Sequence, residues 1–264
     1  MSCLLKIRAL RDNFSANERR IADFILENSQ LMRDYSSQQL ASAVNVSQSS
    51  IVKFSQKLTY KGYPDLKMAI NEAVVIDQTN YANTPSNQLQ ESQSQSLTTV
   101  QNVISDALNH FQAVNSQLDI TEFARELIAA NKTVILSTSF GKTAAASLVN
   151  ILLDLGKVSR TIASDFPHDL NTLQGLNKGD VLLIIEDNPL SNSLISAITS
   201  LNRQGVVSLL VNRMGHSVLH GVTTKQIEWV VTESTPSLMK CQAQACLLSL
   251  MYSLELEIAN QGKC

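Results

Sequence analysis

The stretch Gln78–Ser96, QTNYANTPSNQLQESQSQS, constrains this chain more than any other feature. It is almost entirely Asn, Gln, Ser and Thr, with one proline and no apolar periodicity. A segment of that composition cannot bury a core, so it reads as a linker between two parts that fold separately. The expected organisation is a first domain over 1–77, a linker over 78–96 and a second domain over 97–264. With 264 residues in all, two domains fit, since domains commonly run to about 100–200 residues.

The hydrophobic fraction of 44% is that of an ordinary globular protein. No apolar run approaches the roughly 18 residues of a membrane span. At the N-terminus, Lys6, Arg8 and Arg11 interrupt Leu4 and Leu5 before a signal-peptide core can form. A cytoplasmic location with no membrane partner is expected. Cys3, Cys241, Cys246 and Cys264 lack CxxC spacing and have no histidines arranged around them, so packing is expected, with no disulfide framework, metal or cofactor. The net charge is −2 overall, but residues 1–77 carry ten Lys/Arg against eight Asp/Glu. This asymmetry only weakly favours nucleic-acid contact by the first part.

Before the linker the pattern is helical. Ser15 and Glu18 form a capping box ahead of Ile21, Phe24 and Ile25. A second helix starts near Ser37 and carries Leu40, Ala41 and Val44, with Asn45 suited to end it. Ser47 caps a third helix whose inward positions are Ile51, Phe54 and Leu58. Its outward positions are Gln48, Ser49, Ser50, Lys53, Gln56 and Lys57. Two short helices joined by a tight turn, the second with a polar outer face, are the parts of a helix-turn-helix. Short polar side chains near the start of such a helix suit base edges, and Lys53, Lys57 and Lys61 suit phosphates. A solvated helix face is the competing reading.

After the linker, helices are expected near Leu97–Phe111 and Ile120–Ala130. Short β-branched runs then alternate with helical ones, the signature of a parallel α/β sheet. The five expected strands are Thr133–Ser137, Ser159–Ala163, Val181–Ile185, Val206–Val211 and Ile227–Val231, with a last helix over Leu238–Ile258. In open parallel sheets ligands bind beyond the carboxyl ends of the strands, where helix starts offer free N–H groups to anions. Ser137, Thr138 and Ser139, followed by Lys142, are chemically apt there for a phosphate, although a serine-rich helix cap looks the same. His168, after the second strand, is a further loop candidate for sugar contact, and Trp229 belongs in the core.

The first part resembles the N-terminal domain of the RpiR family of regulators over about residues 15–70. The matching residues are Val46-Ser47, Ile51-Val52-Lys53-Phe54, Leu58-Thr59-Tyr60, Gly62-Tyr63 and Leu66-Lys67. Lys53 stands where arginine is usual, which keeps the charge but loses a bidentate fork, and Thr59 stands where glycine is usual. The run TVILSTSFGKTAAASLVNILLDLGK resembles the first βα unit of the sugar isomerase (SIS) domain. That resemblance implies phosphosugar binding and makes Ser139 a phosphate ligand, with Gly141 at that position in a second alignment. The family's other phosphate loop falls on Glu186–Ser191, where only Ser191 keeps a hydroxyl and two carboxylates intrude. Glu186, Asn188 and Ser191 are the candidates there. Lys240, at the start of the last helix, matches a ligand-facing lysine and is expected to be partly buried.

Together these readings imply a sugar-phosphate-responsive transcription regulator, a homodimer on double-stranded operator DNA, and not an enzyme. The effector implied is a phosphorylated amino sugar, N-acetylmannosamine 6-phosphate of sialic-acid catabolism in particular, with another hexose phosphate as the alternative. The competing class is a sugar-phosphate isomerase with an accessory helical domain, for which Glu186 or His168 would be the base.

Overall fold

The computed structural model describes residues 3–82, 95–139, 141–163, 167–233 and 235–261, with side chains left aside at 75–82, 95, 163 and 167–170. The chain divides into two compact units, Met1–Gln95 and Ser96–Cys264.

The first unit is helical: α1 Cys3–Leu10, α2 Ala16–Glu27, α3 Ser37–Ala43, α4 Gln48–Lys57 and α5 Tyr63–Ala82, with short 3-10 turns after α1 and α2. Local chemistry sets these boundaries. Ser15 and Glu18 form the expected capping box at α2, and Ser36 with Gln39 forms another at α3. Ser47 caps α4 by accepting from the Ser50 amide. The turn between α3 and α4 closes through Asn45, whose φ is +53°, a conformation asparagine tolerates. Ile51, Phe54 and Leu58 are fully buried, among Ile21, Ile25, Leu40 and Leu66.

The expected linker begins later than its composition suggests, because α5 runs on through Ala82 and the next helix opens at Gln95. Polar residues such as Gln78 and Asn80 cost a helix only a few tenths of a kcal/mol each, so α5 carries past the change in composition. The remainder of that stretch, 83–94, lies outside the described residues.

The second unit carries α6 Gln95–Val114 and α7 Gln117–Ala129, then β1 Thr133–Ser137, α8 Gly141–Asp154, β2 Ser159–Ala163, α9 Pro167–Gln174, β3 Val181–Glu186, α10 Asn192–Arg203, β4 Val207–Arg213, β5 Lys225–Trp229 and α11 Pro236–Gln261. All four strand pairings are parallel, in the order β2-β1-β3-β4-β5. The expected α/β architecture is therefore present. β5 lies two residues earlier than expected, paired with β4 from Leu209↔Lys225 to Arg213↔Trp229.

Every residue of β3 is buried, as a strand covered on both faces must be. Its alternate side chains serve two cores. Val181, Leu183 and Ile185 join the cluster formed with α7, α8 and α11, where Trp229 and Cys246 also lie. Leu182 and Ile184 join the opposite cluster with Leu173 of α9 and Leu194, Ile198 and Leu201 of α10. The order also creates a switch point: the chain leaves β1 toward β2 on one side and returns through β3 on the other. In such sheets the crevice beyond the carboxyl ends of those two strands is where ligands bind.

Candidate functional site: a recognition helix and a carboxyl-edge crevice

On α4, Gln48, Ser49, Lys53, Gln56 and Lys57 are exposed and Ser50 is half-buried. The outward residues differ in how much they are already engaged. Gln48 Nε2 donates to Ser37 Oγ of α3 at 2.8 Å, bracing the two helices. The Ser49 and Ser50 hydroxyls each share a 2.8 Å hydrogen bond with the Ser47 hydroxyl. Lys57 reaches back across the fold, donating to Glu18 Oε2 at 2.7 Å while its ammonium stands 5.4 Å from the centre of the Phe14 ring. Burial works against the Glu18 carboxylate. The bonds from Lys57 and from the amide and hydroxyl of Ser15 outweigh it and hold the carboxyl below its ordinary range. Lys53, by contrast, carries neither hydrogen bond nor ion pair among the described residues. Lys61 is exposed just beyond the helix, its amide donating to Asp65 Oδ2 at 3.0 Å.

The carboxyl end of α4 is closed by a side chain from α1. Thr59 adopts φ +71°, where a β-branched residue is strained and glycine is at ease. Lys6 Nζ donates to the Leu58 carbonyl at 2.8 Å and to Thr59 Oγ1 at 2.7 Å. A cation placed on the last carbonyls of a helix is the favourable arrangement for its dipole.

In the second unit the switch point brings the first loop, Ser137–Ser139, against the loop after β3. Thr138 is the tie. Its hydroxyl donates to Asp187 Oδ1. It also accepts from the Asp187 amide at 3.0 Å and from the Asn188 amide at 3.2 Å. One donation and two acceptances use the full capacity of a hydroxyl. The other carboxylate oxygen, Asp187 Oδ2, accepts from the Gly141 amide at 3.3 Å, the first residue of α8. A carboxylate therefore sits on the positive end of that helix, the place an anionic ligand favours. Gly141 is needed for this approach, since a Cβ there would lie 2.8 Å from Ile185 Cγ2.

Around this tie, Ser137 is buried, while Ser139, Asn188 and Ser191 are exposed. Ser139 has φ +31°, and Ser191 caps α10 by accepting from the Leu194 amide. Glu186, at the end of β3, is only 4% exposed. Its Oε2 accepts from Ser217 Oγ, beyond β4, and its Oε1 is buried without a hydrogen-bond partner. Burial pushes its carboxyl above the ordinary range, against the opposing bonds from Ser217 and Leu190. Asp187 and Ser217 are thus parts of the crevice that sequence reasoning passed over. Asp187 was visible as a carboxylate where a phosphate loop was expected, but its partner Thr138 lies 49 residues away.

Two expectations need correction. Lys240 is exposed on α11, with Leu238, Met239 and Cys241 half-buried beside it; the buried polar residue of that turn is Gln242. Gln242 accepts from the Thr232 and Glu233 amides at 3.1 and 3.2 Å, so the turn's interior is taken by a structural amide. His168 falls within α9 and not in a loop, because Pro167 starts that helix with its φ already set. Its side chain lies outside the described residues. Among the described residues no group of three or more His, Cys, Asp or Glu is placed to hold a metal ion. No helix there is long and apolar enough to cross a membrane.

Residues 1–75 match the model of the helix-turn-helix domain, rpiR family. An uncharacterised HTH-type transcriptional regulator, YfhH, of Escherichia coli (strain K12) is 26% identical over 99% of this chain and 95% of its own length. Among solved structures, NanR of Vibrio vulnificus complexed with ManNAc-6P superposes with a TM-score of 0.55 at 16% identity, covering 98% of this chain and 92% of that one. The sugar isomerase domain of an RpiR transcription factor from Sphaerobacter thermophilus gives 0.52 at 16% identity, over 63% of this chain and 89% of that one. At these identities the superpositions speak for fold. Residues 1–75 thus match the helix-turn-helix domain of the rpiR family, the chain as a whole is similar to an HTH-type transcriptional regulator, and its second unit shares the fold of the sugar isomerase domain.

Proposed function

We propose that this protein represses amino-sugar catabolism genes, such as those for sialic acid, and that a phosphorylated amino sugar bound at the β1/β3 crevice controls it. The observation that carries the effector half is the convergence of the Ser137–Ser139 and Glu186–Ser191 loops at the topological switch point, beside the N-terminus of α8. Ser139, Asn188 and Ser191 are exposed there for a ligand. N-acetylmannosamine 6-phosphate is the first effector to try, since the structural neighbour NanR is complexed with it. The protein acts in the cytoplasm, as a homodimer. Leu248, Tyr252 and Leu256 support that assembly: spaced four apart on α11, they are all more than half exposed and form one apolar stripe.

On the DNA side, Gln48, Ser49 and Ser50 face base edges and Lys53 and Lys61 hold phosphates, with Lys57 contributing less because Glu18 holds it. Gel-shift titration with upstream DNA at several salt concentrations tests this. Lys53→Ala should weaken binding on all sequences and lower the salt slope by about one. Lys57→Ala should do less. An unchanged affinity in Lys53→Ala removes α4 from the DNA interface. Incubating the protein with the sugar phosphate in deuterated water should show no exchange at carbon 2, and rapid exchange would mean an isomerase.

A further inference from the structure

Asp187 makes the crevice unusual, because the chain supplies its own anion where a ligand's anion belongs. Its carboxylate accepts from the Thr138 hydroxyl and, at 3.3 Å, from the Gly141 amide, the first of a 14-residue helix. These are the donors that a phosphate at this helix start would use. Thr138 offers no spare capacity, since the amides of Asp187 and Asn188 fill its acceptor sites. The next carboxylate along, Glu186, is 96% withdrawn from solvent and holds one oxygen, Oε1, without a partner. A buried acceptor left open beside an engaged one points to a donor that the protein itself does not supply.

We infer that Asp187 is a displaceable internal anion: a phosphate-bearing effector competes with it for Thr138 and the α8 N-terminus, and this competition sets both affinity and the response. The inference rests on the phosphosugar reading above and adds its specificity residue. Two anions cannot share those donors at a few ångströms without repulsion. Phosphate therefore enters only as the Asp187 carboxylate leaves. When it leaves, one of the three hydrogen bonds that Thr138 makes across the β1 and β3 loops is lost, and the two it accepts from the Asp187 and Asn188 amides are weakened, loosening the segment that leads to α10. A sugar without phosphate has no reason to displace the carboxylate, and its hydroxyls can instead donate to Glu186. The apparent affinity for the phosphorylated ligand is lowered by the fraction of molecules in which Asp187 is bound inward.

Calorimetric titration of the full chain with inorganic phosphate, N-acetylmannosamine 6-phosphate and unphosphorylated N-acetylmannosamine tests this. Asp187→Ser removes the competing charge, and Asp187→Asn keeps an oxygen for Thr138 should the serine variant fold poorly. Both phosphate-bearing probes should bind the variant about tenfold tighter or more, the scale of one charge-assisted hydrogen bond no longer opposed, with unphosphorylated sugar unchanged. In the wild-type protein, saturation with the sugar phosphate should speed hydrogen exchange at the Asp187 and Asn188 amides. If the wild type binds the sugar phosphate and the variants bind it no more tightly, the internal-anion role is overturned while the phosphosugar reading stands. If neither wild type nor variants bind any phosphate-bearing probe, both fall together.

Discussion

The recognition helix and the carboxyl-edge crevice are both built from short polar side chains, yet they spend them differently. On α4 the polar groups, apart from Lys57 with its tie to Glu18, are engaged within a turn or with the neighbouring helix. Ser47 serves Ser49 and Ser50, Gln48 reaches Ser37, and Lys53 is left to solvent. In the crevice the equivalent groups are committed across the fold, Thr138 to Asp187 and Ser217 to Glu186. A surface organised locally can keep its outward donors available for a partner, as DNA recognition requires. A crevice organised across strands arrives already satisfied, and a ligand must trade against what is there.

Three substitutions break or sharpen this contrast. The largest effect is expected in the crevice, from Gly141→Ala. The new Cβ would meet Ile185 Cγ2 at 2.8 Å, against a buried strand that has little room to move. Overpacking of this kind costs about 1–3 kcal/mol, so urea denaturation should show a lowered midpoint. An unchanged midpoint would mean that α8 can shift freely from β3, and the crevice would not be as tightly set as described.

Next comes the end of the recognition helix, where strain is local and should be locally relieved. Thr59→Gly removes a β-branched residue from φ +71° and should stabilise the first unit by about 1 kcal/mol. Lys6 would still cap Leu58. Thermal melting checks the sign, and a net loss would show that the bond between Lys6 and the Thr59 hydroxyl outweighs the strain.

The smallest effect is a matter of pH. Burial raises the Glu186 carboxyl above its unfolded value, so folding favours its protonated form. Its contribution is most favourable below the unfolded value and is lost as pH rises through the folded one. Glu186→Gln should therefore raise the melting temperature relative to wild type near neutral pH, with the advantage shrinking toward pH 4. A difference independent of pH would assign the effect to packing.

How far each region could be read in advance follows the same division. Capping at Ser15 and Ser47, the turn at Asn45 and the buried spacing of Ile51, Phe54 and Leu58 all concern residues within a turn or two of one another. Periodicity and cap chemistry report on that range, and they located the helix-turn-helix. The β strands were legible for a related reason, since a strand covered on both faces needs an unbroken apolar run, and Val181–Ile185 supplies one. What the sequence did not reveal was pairing at a distance. Nothing near Thr138 announces Asp187, and nothing near Glu186 announces Ser217. Lys57 and Glu18 are 39 residues apart, so a lysine placed among phosphate contacts by its helical position is tied to α2. Lys240 was misjudged because apolar neighbours along the sequence say little about which way a helix face turns. The rule that ligands favour the carboxyl ends of parallel strands still pointed to the loops after β1 and β3, which the strand order brings together.

The closure of α4 at both ends has a consequence for how such a protein can change its target. Asn45 and Thr59 bracket the helix, Ser47 begins it and Lys6 ends it, while Ile51, Phe54 and Leu58 anchor its underside. None of those residues is among the side chains facing outward at Lys53 and Gln56. The outer face is therefore an exchangeable cassette. Under the proposed role of α4 in reading DNA, new target sequences would be acquired by drift at a handful of exposed positions, without renegotiating the fold that presents them.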